Sequence, residues 1–461
     1  MKKRIYLCLA HMSETGMEQK YIQEAFDTNW VVPLGPNVNG FEEDLKDFVT
    51  GANVISTEVE RSLDDARDDS LLSKEVVALA SGTSAVHLAL IACGVKPGDE
   101  VIVQSFTFCA SSHPVTYLGA TPVFVDSEKE TWNMDPELLE EAIKDRIAKT
   151  GRKPKAIIPV ALYGMPYQID RIMEIANRYE IPVIEDAAEG FGSRYKGQVL
   201  GTFGKYGVLS FNGNKMITTS GGGALITPDK EAWREIMMYA TQYRESYPYY
   251  QHEKIGYNYR MSNICAGIGR GQMTVVDDHI AHHQHVQALY EELLKDVPGI
   301  YVHSQPKEKS SMVNGQCSMV NGQCSMVNGQ CSMVYDSNYW LCTITIDPEV
   351  KVKGQEDAYK TIITGAVGGA AGVIHAAASA TTDCQPNDNV EAMRVALDKA
   401  NIEARPVWKP MHKQPCYKDA PAYINGVSEE IFKVGMCLPA GPCVSDEDVR
   451  YIVESIKANI L

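Results

Sequence analysis

The chain has 461 residues, of which 44% are hydrophobic and 22% are charged, and its formal net charge is −16. This length and composition are typical of a globular protein with two or three domains. The negative charge argues against nucleic acid or an anionic membrane surface as the main partner, because both require a cationic surface.

The N-terminal apolar run over residues 5–10 is short for the core of a signal peptide, so the sequence predicts a short strand there. No apolar run approaches the length of a membrane-spanning helix. The 12 cysteines include no Cys-x-x-Cys pair, and three belong to a repeat, so neither a zinc site nor a disulfide framework is predicted. We therefore expect a cytoplasmic protein without a metal centre.

Short apolar runs alternate with helical stretches from about residue 75 to residue 230. These runs are continuous rather than alternating, which is typical of parallel strands that are buried on both faces. The pattern predicts an α/β fold with a mostly parallel central sheet, helices on both faces and a compact α+β segment after about residue 385. The predicted strands cover residues 76–80, 101–106, 122–125, 156–162, 182–185, 206–211, 224–227 and 403–407. The predicted helices cover residues 84–93, 136–148, 167–179 and 389–400, with a last helix from Ser445.

Three segments interrupt this pattern. Residues 51–74 are rich in Asp, Ser and Arg and indicate a surface insertion. Residues 311–334 repeat Ser-Met-Val-Asn-Gly-Gln-Cys three times and then end Ser-Met-Val, and the Gly and Asn of each unit disfavour a helix. We expect a loop or short hairpins there, without a catalytic role. Residues 365–380 are small and apolar, which favours a loop or a tightly packed helix over a glycine-rich ligand loop.

Lys215 lies between two predicted strands and has small polar neighbours such as Asn212 and Gly213. A lysine that forms a Schiff base must reach a carbonyl carbon, and backbone without bulk lets a cofactor lie close to it. The predicted strand before it ends in Asp186. A lysine for an aldehyde and a carboxylate for a ring nitrogen together indicate pyridoxal phosphate.

Other candidate residues follow predicted strands in the same way. Thr83 and Ser84 precede a predicted helix, where they could hold a phosphate or simply cap the helix. Phe108 could stack on a flat ring or belong to the core, and Ser210 could reach a phosphate or be an ordinary strand serine. Asp186 could equally cap a helix. The set is more specific than any member, because the carboxyl ends of parallel strands share one ligand-binding edge.

Several motifs, outside residues 51–74 and about 305–385, point to a known family. They are Trp-Val-Val-Pro-Leu-Gly-Pro (30–36), Ser-Phe-Thr-Phe (105–108), Leu-Tyr-Gly (162–164), Glu-Asp-Ala-Ala-Glu-Gly-Phe-Gly-Ser (185–193), Asn-Gly-Asn-Lys (212–215), Gly-Tyr-Asn-Tyr-Arg-Met-Ser-Asn (256–263) and Ala-Arg-Pro-Val-Trp-Lys-Pro-Met-His (404–412). With these motifs the chain resembles the DegT/DnrJ/EryC1/StrS family of pyridoxal phosphate-dependent sugar aminotransferases. Within that family it is most similar to enzymes that aminate C4 of UDP-4-keto-6-deoxy-N-acetylhexosamines.

The resemblance implies a fold-type-I pyridoxal phosphate-dependent transferase that works as a homodimer with active sites between subunits. It implies that Lys215 binds the cofactor as a Schiff base, that Asp186 pairs with the ring nitrogen, that Phe108 stacks on the ring and that Glu189 lines the pocket. The implied phosphate-binding residues are Thr83, Ser84, Ser210 and Asn258, the last supplied by the partner subunit. The implied substrate-binding residues are Trp30, Tyr163, Arg260, Arg405 and His412.

The resemblance also implies the reaction. The amino group would move from L-glutamate to the C4 keto group of a nucleotide-linked keto-deoxy sugar, for the synthesis of surface glycans. Two alternatives remain open, a C3-keto-sugar aminotransferase and a non-catalytic regulatory protein that binds pyridoxal phosphate or a sugar nucleotide. The expected organisation is an N-terminal arm over residues 1–40, a large cofactor-binding domain over 41–270 and a small domain over 271–461.

Overall fold

The computed structural model describes residues 3–51, 71, 73–307, 334–359 and 384–461, and the backbone of four short strands between residues 310 and 331. The predicted surface insertion, apart from its ends, and the small apolar segment at 365–380 lie outside the described residues. The α-helices are Met17–Asp27, Pro36–Thr50, Gly82–Ala92, His113–Tyr117, Pro136–Thr150, Ile169–Tyr179, Lys230–Ala240, Asn263–Met273, Val276–Leu294, Asp388–Lys399, Val427–Val434 and Asp446–Asn459.

The strands are, in chain order, β1 (Glu75–Leu79), β2 (Glu100–Gln104), β3 (Thr121–Val125), β4 (Ile157–Ile158), β5 (Ile184–Asp186), β6 (Arg194–Tyr195), β7 (Gln198–Val199), β8 (Tyr206–Ser210), β9 (Gly223–Thr227), β10 (Ile300–Val302), β11 (Ser310–Val313), β12 (Gln316–Met319), β13 (Met326–Val327), β14 (Gln330–Cys331), β15 (Tyr335–Asp336), β16 (Cys342–Ile346), β17 (Arg405–Pro406), β18 (Ala422–Tyr423) and β19 (Gly435–Leu438).

The centre of the fold is a sheet in the order β3-β2-β4-β5-β8-β9-β1. Single parallel bridges, such as the one between Ile157 and Val183, join β4 to β5. The pairs β2–β3, β2–β4 and β5–β8 are parallel, whereas β9 runs antiparallel to both β8 and β1. The short strand β18 extends the edge at β3 in parallel. The predicted mostly parallel sheet is confirmed, with β9 as the exception.

Both faces of the central sheet are buried, because alternate side chains of one strand enter different apolar cores. In β1, Val76 and Ala78 belong to one cluster, and Val77 and Leu79 belong to another. The prediction of helices on both faces is therefore confirmed. The first cluster includes residues of the helices Pro36–Thr50, Pro136–Thr150 and Ile169–Tyr179, and the second includes residues of Gly82–Ala92 and Lys230–Ala240.

A second, antiparallel sheet in the order β10-β16-β19-β17 forms the C-terminal part of the fold. Its core includes Tyr290, Ile344, Met393 and Ile452, which come from one strand and three helices. The last helix begins where it was predicted, because Ser445 caps it by accepting a hydrogen bond from the backbone N–H of Asp448. The predicted α+β arrangement after residue 385 is thus present.

Two predictions concern segments at the margins of the fold. Within the repeat, β11 pairs with β12 and β13 pairs with β14, which agrees with the short-hairpin alternative. At the N-terminus the predicted strand is reduced to one parallel bridge between Ile5 and Ile402. Farther along, the N–H of Ala10 donates to the carbonyl of Gly213 (3.0 Å), which ties the arm to the loop that carries Lys215. Among the described helices, none is both long and apolar enough to cross a membrane.

Candidate active site

The candidate site lies at the carboxyl edge of the central sheet. Strands β1, β2, β5 and β8 end at this edge, because β1 and β8 are each antiparallel to β9 and therefore parallel to each other. Leu79 and Ser210, at the ends of β1 and β8, both pair with Gly223 of β9. Asp186 is the last residue of β5. The topology therefore brings together the strand ends that the sequence marked as candidates.

Asp186 is a buried carboxylate with defined partners. Its Oδ2 accepts a hydrogen bond from Ser111 Oγ at 2.6 Å, and its Oδ1 accepts one from the N–H of Ala188 at 3.2 Å. Burial raises the pKa of Asp186, and the hydrogen bonds from Ser111 and Ala188 and the charge of Lys215 oppose this shift. A cationic ring nitrogen is a partner that would stabilise such a carboxylate, so the site fits the pyridine ring of pyridoxal phosphate.

Lys215 lies between a carboxylate and an aromatic ring. Its Nζ is 3.2 Å from Oε1 of Glu189 and 4.0 Å from the centre of the Trp340 ring. The other oxygen of Glu189 accepts a hydrogen bond from the N–H of Tyr163 (2.8 Å). The Lys215 side chain is 13% exposed. The amine is therefore held in a nearly buried place while part of it stays accessible.

The turn from β1 into the helix Gly82–Ala92 is packed as closely as glycine allows. A Cβ atom on Gly223 would lie 2.4 Å from the nitrogen of Gly82, and a Cβ on Gly82 would lie 3.1 Å from Cβ of Ser210. Ser81 and Ser84 form a capping box, in which Ser84 Oγ donates to the carbonyl of Ser81 (2.7 Å). This turn fits a phosphate, because backbone N–H groups at a helix N-terminus bind anions.

The hydroxyl groups near this turn differ in availability. Ser84 is buried and its hydroxyl is used by the capping box. Thr83 is half-buried, and its hydroxyl makes no hydrogen bond to any residue that the structure describes. Ser210 is buried directly against Gly82. Both alternatives for this segment, helix capping and phosphate binding, are therefore compatible with the geometry, with Thr83 the more available side chain.

Phe108 is exposed rather than part of the core. Its side chain is 51% exposed, and its ring centre is 5.5 Å from that of Trp408. Trp408 in turn stacks on Tyr163, with ring centres 6.1 Å apart, and the backbone N–H of Trp408 donates to the hydroxyl of Tyr163 (2.8 Å). Phe108 and Trp408 line a cavity of about 340 Å³. The exposed ring of Phe108 is therefore available for stacking on a flat ligand.

Asn258, Arg260 and Trp30, which were also predicted to belong to the site, lie away from Lys215. Asn258 and Arg260 line a separate cavity of about 450 Å³, together with Leu34, and Lys215 is absent from the lining that the described residues form. Arg260 pairs with Glu42. Trp30 is exposed and its carbonyl accepts a hydrogen bond from Asn263. Within one chain, Asn258 and Arg260 thus belong to a second cavity.

The remaining predicted residues have their polar groups engaged within the chain. Arg405 pairs with Glu403 at 2.7 Å. His412 is almost fully buried, with Nδ1 2.6 Å from Ser105 Oγ and Nε2 3.3 Å from Glu429. Tyr163 is also buried. These contacts stabilise the walls of the site, and the substrate-binding roles of Tyr163, Arg405 and His412 stay predictions.

The sequence did not assign roles to two residues that touch the predicted catalytic groups. Ser111 follows Phe108 closely, so the position of Phe108 at a strand end was a usable signal for it. Trp340 has no local signal, because it reaches Lys215 from the segment before β16, in the other sheet. Its contact depends on the tertiary fold alone.

A comparison with protein families matches residues 60–328 and 359–457 to the DegT/DnrJ/EryC1/StrS aminotransferase family. EpsN of Bacillus subtilis, assigned as a pyridoxal phosphate-dependent aminotransferase, is 38% identical over 98% of this chain and 95% of that relative. A GDP-perosamine synthase of Escherichia coli O157:H7 is 31% identical over 98% of both chains. A UDP-2-acetamido-2-deoxy-3-oxo-D-glucuronate aminotransferase of Pseudomonas aeruginosa is 39% identical over 57% of this chain and 65% of that relative.

Solved structures show the same fold. A DegT DnrJ EryC1 StrS aminotransferase from Brucella abortus superposes with a TM-score of 0.73 at 25% identity, and the match covers 96% of this chain and 95% of that chain. The pyridoxal phosphate form of the sugar aminotransferase Spr1654 from Streptococcus pneumoniae also gives a TM-score of 0.73, at 22% identity over 99% of this chain and 98% of that chain.

Proposed function

Because the chain belongs to the DegT/DnrJ/EryC1/StrS family and is a pyridoxal phosphate-dependent sugar aminotransferase, we propose that it moves an amino group from L-glutamate to a sugar nucleotide. The acceptor is the C4 keto group of a nucleotide-linked 4-keto-6-deoxy-N-acetylhexosamine of the UDP type, used for surface glycans. The observation that carries the proposal is the placement of Lys215, Glu189 and Asp186 at one sheet edge.

The proposed roles follow from the geometry of these side chains. When bound, pyridoxal phosphate supplies an electron sink that allows an amino group to be exchanged at a carbon atom. The Nζ of Lys215 would hold the cofactor at its aldehyde carbon, and the carboxylate of Asp186 would keep the ring nitrogen in its protonated form. Phe108 stacks on the ring. The helix N-terminus at Thr83 and Ser84, with Ser210, binds the phosphate.

The same lysine moves the protons of the reaction. In the donor half, the amino group of L-glutamate would displace Nζ from the aldehyde carbon, and the freed Nζ would take the α-proton. In the acceptor half, Nζ would deliver a proton to C4 of the sugar. A lysine suits both steps, because its amine is a base when neutral and an acid when charged. Glu189, 3.2 Å away, keeps Nζ directed into the site.

The choice of a 4-keto sugar rests on the motif resemblance and on the coverage of the relatives. Three relatives span at least 95% of both chains, namely EpsN and the GDP-perosamine synthases of Escherichia coli and Vibrio cholerae, and none of them is named for a 3-oxo sugar. Two relatives named for a 3-oxo or 3-dehydro sugar match only 57% and 42% of this chain, but their identities of 39% and 41% support the C3-keto sugar as a second candidate. The perosamine relatives also make GDP a nucleotide to be tested beside UDP.

We also place Asn258 in the active site of the partner subunit of a homodimer. Asn258 is exposed and lines the second cavity with Arg260, away from the Lys215 of its own chain. An exposed residue of this kind can complete a site across a two-fold axis. The second cavity of each chain would then face the sheet edge of its partner, and the dimer would have two shared sites.

The donor half-reaction is tested by absorbance. The purified protein with pyridoxal phosphate should show a band near about 420 nm, as expected for a Schiff base with lysine, and L-glutamate should shift it toward about 330 nm. A band that ignores glutamate would keep the cofactor and refute the donor. With cofactor supplied, a missing band would refute the Lys215 assignment and favour the non-catalytic alternative.

The acceptor is then tested with a panel of UDP- and GDP-linked sugars that carry a keto group at C4 or at C3. The proposal expects amine formation with a UDP-linked 4-keto-6-deoxy-N-acetylhexosamine, detected by mass spectrometry of the product. Turnover confined to 3-keto sugars would replace the proposal by its second candidate.

Lys215→Ala should abolish turnover and remove the band near about 420 nm, because it removes the amine that would bind the aldehyde. The matched control is Lys205→Ala, which removes an exposed lysine just before β8. The control should keep both the band and the activity. Full activity of the Lys215 variant would refute the assignment of the catalytic lysine.

A further inference from the structure

The indole ring of Trp340 packs against the amine of Lys215. Its side chain is 1% exposed, and its Nε1–H donates to the carbonyl of Asn214 at 2.6 Å. The indole is therefore bound to the residue that directly precedes the lysine. The hydrogen bond that satisfies the buried indole N–H therefore also fixes the ring beside the loop that carries Lys215.

The ring faces the charge of the lysine. Nζ of Lys215 lies 4.0 Å from the ring centre, and Oε1 of Glu189 lies 3.2 Å from Nζ. A cation at this distance from an indole face is attracted by the ring quadrupole, most strongly where water is excluded. The ammonium thus has two attractive contacts, one ionic and one with an aromatic face.

Both contacts belong to one hydrogen-bonded unit. The side-chain nitrogen of Asn338 donates to the carbonyls of Glu189 (3.0 Å) and Phe191 (2.9 Å). Its side-chain oxygen accepts a hydrogen bond from the backbone N–H of Trp340 at 2.9 Å. Asn338 therefore ties the segment that carries the ring to the segment that carries the carboxylate.

A buried histidine fixes the same segment from behind. Nδ1 of His283 lies 3.1 Å from the carbonyl of Tyr339, the residue before Trp340. Burial lowers the pKa of His283 to about 3, so the imidazole is neutral near pH 7 and its Nδ1–H donates this bond. The backbone of the segment is thus held on two sides.

We propose that Trp340 is a positioning residue for Lys215, and that its indole face holds the lysine ammonium opposite Glu189 whenever the lysine is not covalently bound to the cofactor. The proposal rests on the role of Lys215 proposed above. The lysine is free between the two half-reactions, and a long side chain disperses over many rotamers unless contacts hold it. Trp340 keeps Nζ where it can give and take protons.

The test compares three variants. Trp340→Leu removes the aromatic face, Trp340→Phe keeps a face but loses the N–H bond to Asn214, and Trp233→Phe is the matched control. Trp233 also donates its Nε1–H to a backbone carbonyl, that of Val76, but it lies on the helix Lys230–Ala240. A desolvated cation–π contact corresponds to roughly 30-fold in an equilibrium constant.

We expect Trp340→Leu to slow the saturated donor half-reaction by about 10- to 30-fold, with little change in the concentration of L-glutamate needed for half saturation. Trp340→Phe should recover most of the rate, and Trp233→Phe should match the wild type. The affinity for pyridoxal phosphate, measured by its absorbance band, should stay near that of the wild type. Where the Leu variant fails to fold, the position of Nζ in the crystal structure of the wild type decides. In a folded Leu variant, loss of cofactor affinity along with rate would indicate a merely structural role.

The direct test is a crystal structure of the protein loaded with pyridoxamine phosphate. Nζ of Lys215 should lie over the indole in the wild type and leave that position in Trp340→Leu. An unchanged rate in the Leu variant, or an Nζ away from the ring in the wild type, would overturn the proposal. If wild-type protein ignores L-glutamate, the proposed donor fails, while the crystallographic position of Nζ still judges the role of Trp340.

Discussion

Asp186 shows at the scale of one residue how a buried charge serves the cofactor. Asp186→Asn keeps the size of the side chain but removes the negative charge next to the ring nitrogen. We expect the band near about 420 nm to persist and the donor half-reaction to slow by about 100-fold or more, because a neutral ring accepts electrons poorly. Stopped-flow absorbance with L-glutamate measures this rate.

The neighbouring residue supplies the control. Glu185 is also buried, but it lies on the opposite face of β5, where its carboxylate accepts the N–H groups of Phe203 and Gly204. Glu185→Gln should lower the free energy of unfolding and leave the donor half-reaction near the wild-type rate. Equal loss of rate in both variants would mean that Asp186 acts through folding rather than through the ring nitrogen.

The sequence pointed to candidate residues that follow recognisable strands, and it gave no signal for contacts that come from distant parts of the chain. Lys215 and Asp186 could be predicted because each follows a recognisable strand, and the structure places both at the same sheet edge. The contact of Trp340 with Lys215 could not, since Trp340 lies in the segment that leads into β16 of the second sheet. His412 was named from the motif resemblance, but its contacts with Ser105 and Glu429 could not be predicted, because they join distant parts of the chain.

At the scale of elements, the turn between β1 and its helix depends on the antiparallel strand β9. Gly223→Ala would place a Cβ 2.4 Å from the nitrogen of Gly82 and 2.7 Å from the carbonyl oxygen of Leu209. Backbone atoms cannot yield as a flexible side chain does, so we expect a loss of about 1–3 kcal/mol in the free energy of unfolding. The displaced helix N-terminus should also bind pyridoxal phosphate more weakly. Urea unfolding and cofactor titration measure the two effects.

Gly221→Ala is the matched control, since a Cβ at Gly221 meets nothing within 4 Å. This variant should keep both the stability and the cofactor affinity of the wild type. If the two alanine variants behave alike, close packing at Gly223 does not shape the phosphate site.

The positions of most strands could be predicted from the sequence, but whether each strand runs parallel or antiparallel to its neighbours could not. The predicted strands over residues 76–80 and 224–227 are observed as β1 and β9 within one residue at each end. Apolar continuity reports burial on both faces and carries no information on direction, so the antiparallel course of β9 was not predicted. The predicted strand over residues 156–162 is observed as only two residues, because Pro159 has no N–H to continue the ladder, although Val160 still forms a parallel bridge to Asp186.

At the scale of the whole molecule, the second cavity separates two groups of predicted site residues. Asn258 and Arg260 line it, whereas Lys215, Asp186 and Glu189 meet at the sheet edge. In a homodimer with shared sites, each complete site takes Lys215 from one chain and Asn258 from the other. The activity of mixed dimers can therefore test the assembly without a structure of the complex.

Lys215→Ala and Asn258→Ala should each be nearly inactive alone, the first for want of the Schiff base and the second for want of a phosphate contact. Co-expression with two different tags allows the mixed dimer to be isolated. In that dimer one site carries both substitutions and the other carries neither, so it should have about half of the wild-type activity per dimer, and random pairing should give about a quarter. If both residues act within one chain, every site in the mixture is defective and no activity returns. Recovery of activity on mixing would thus assign Asn258 to the partner's site, and its absence would reject the shared-site dimer.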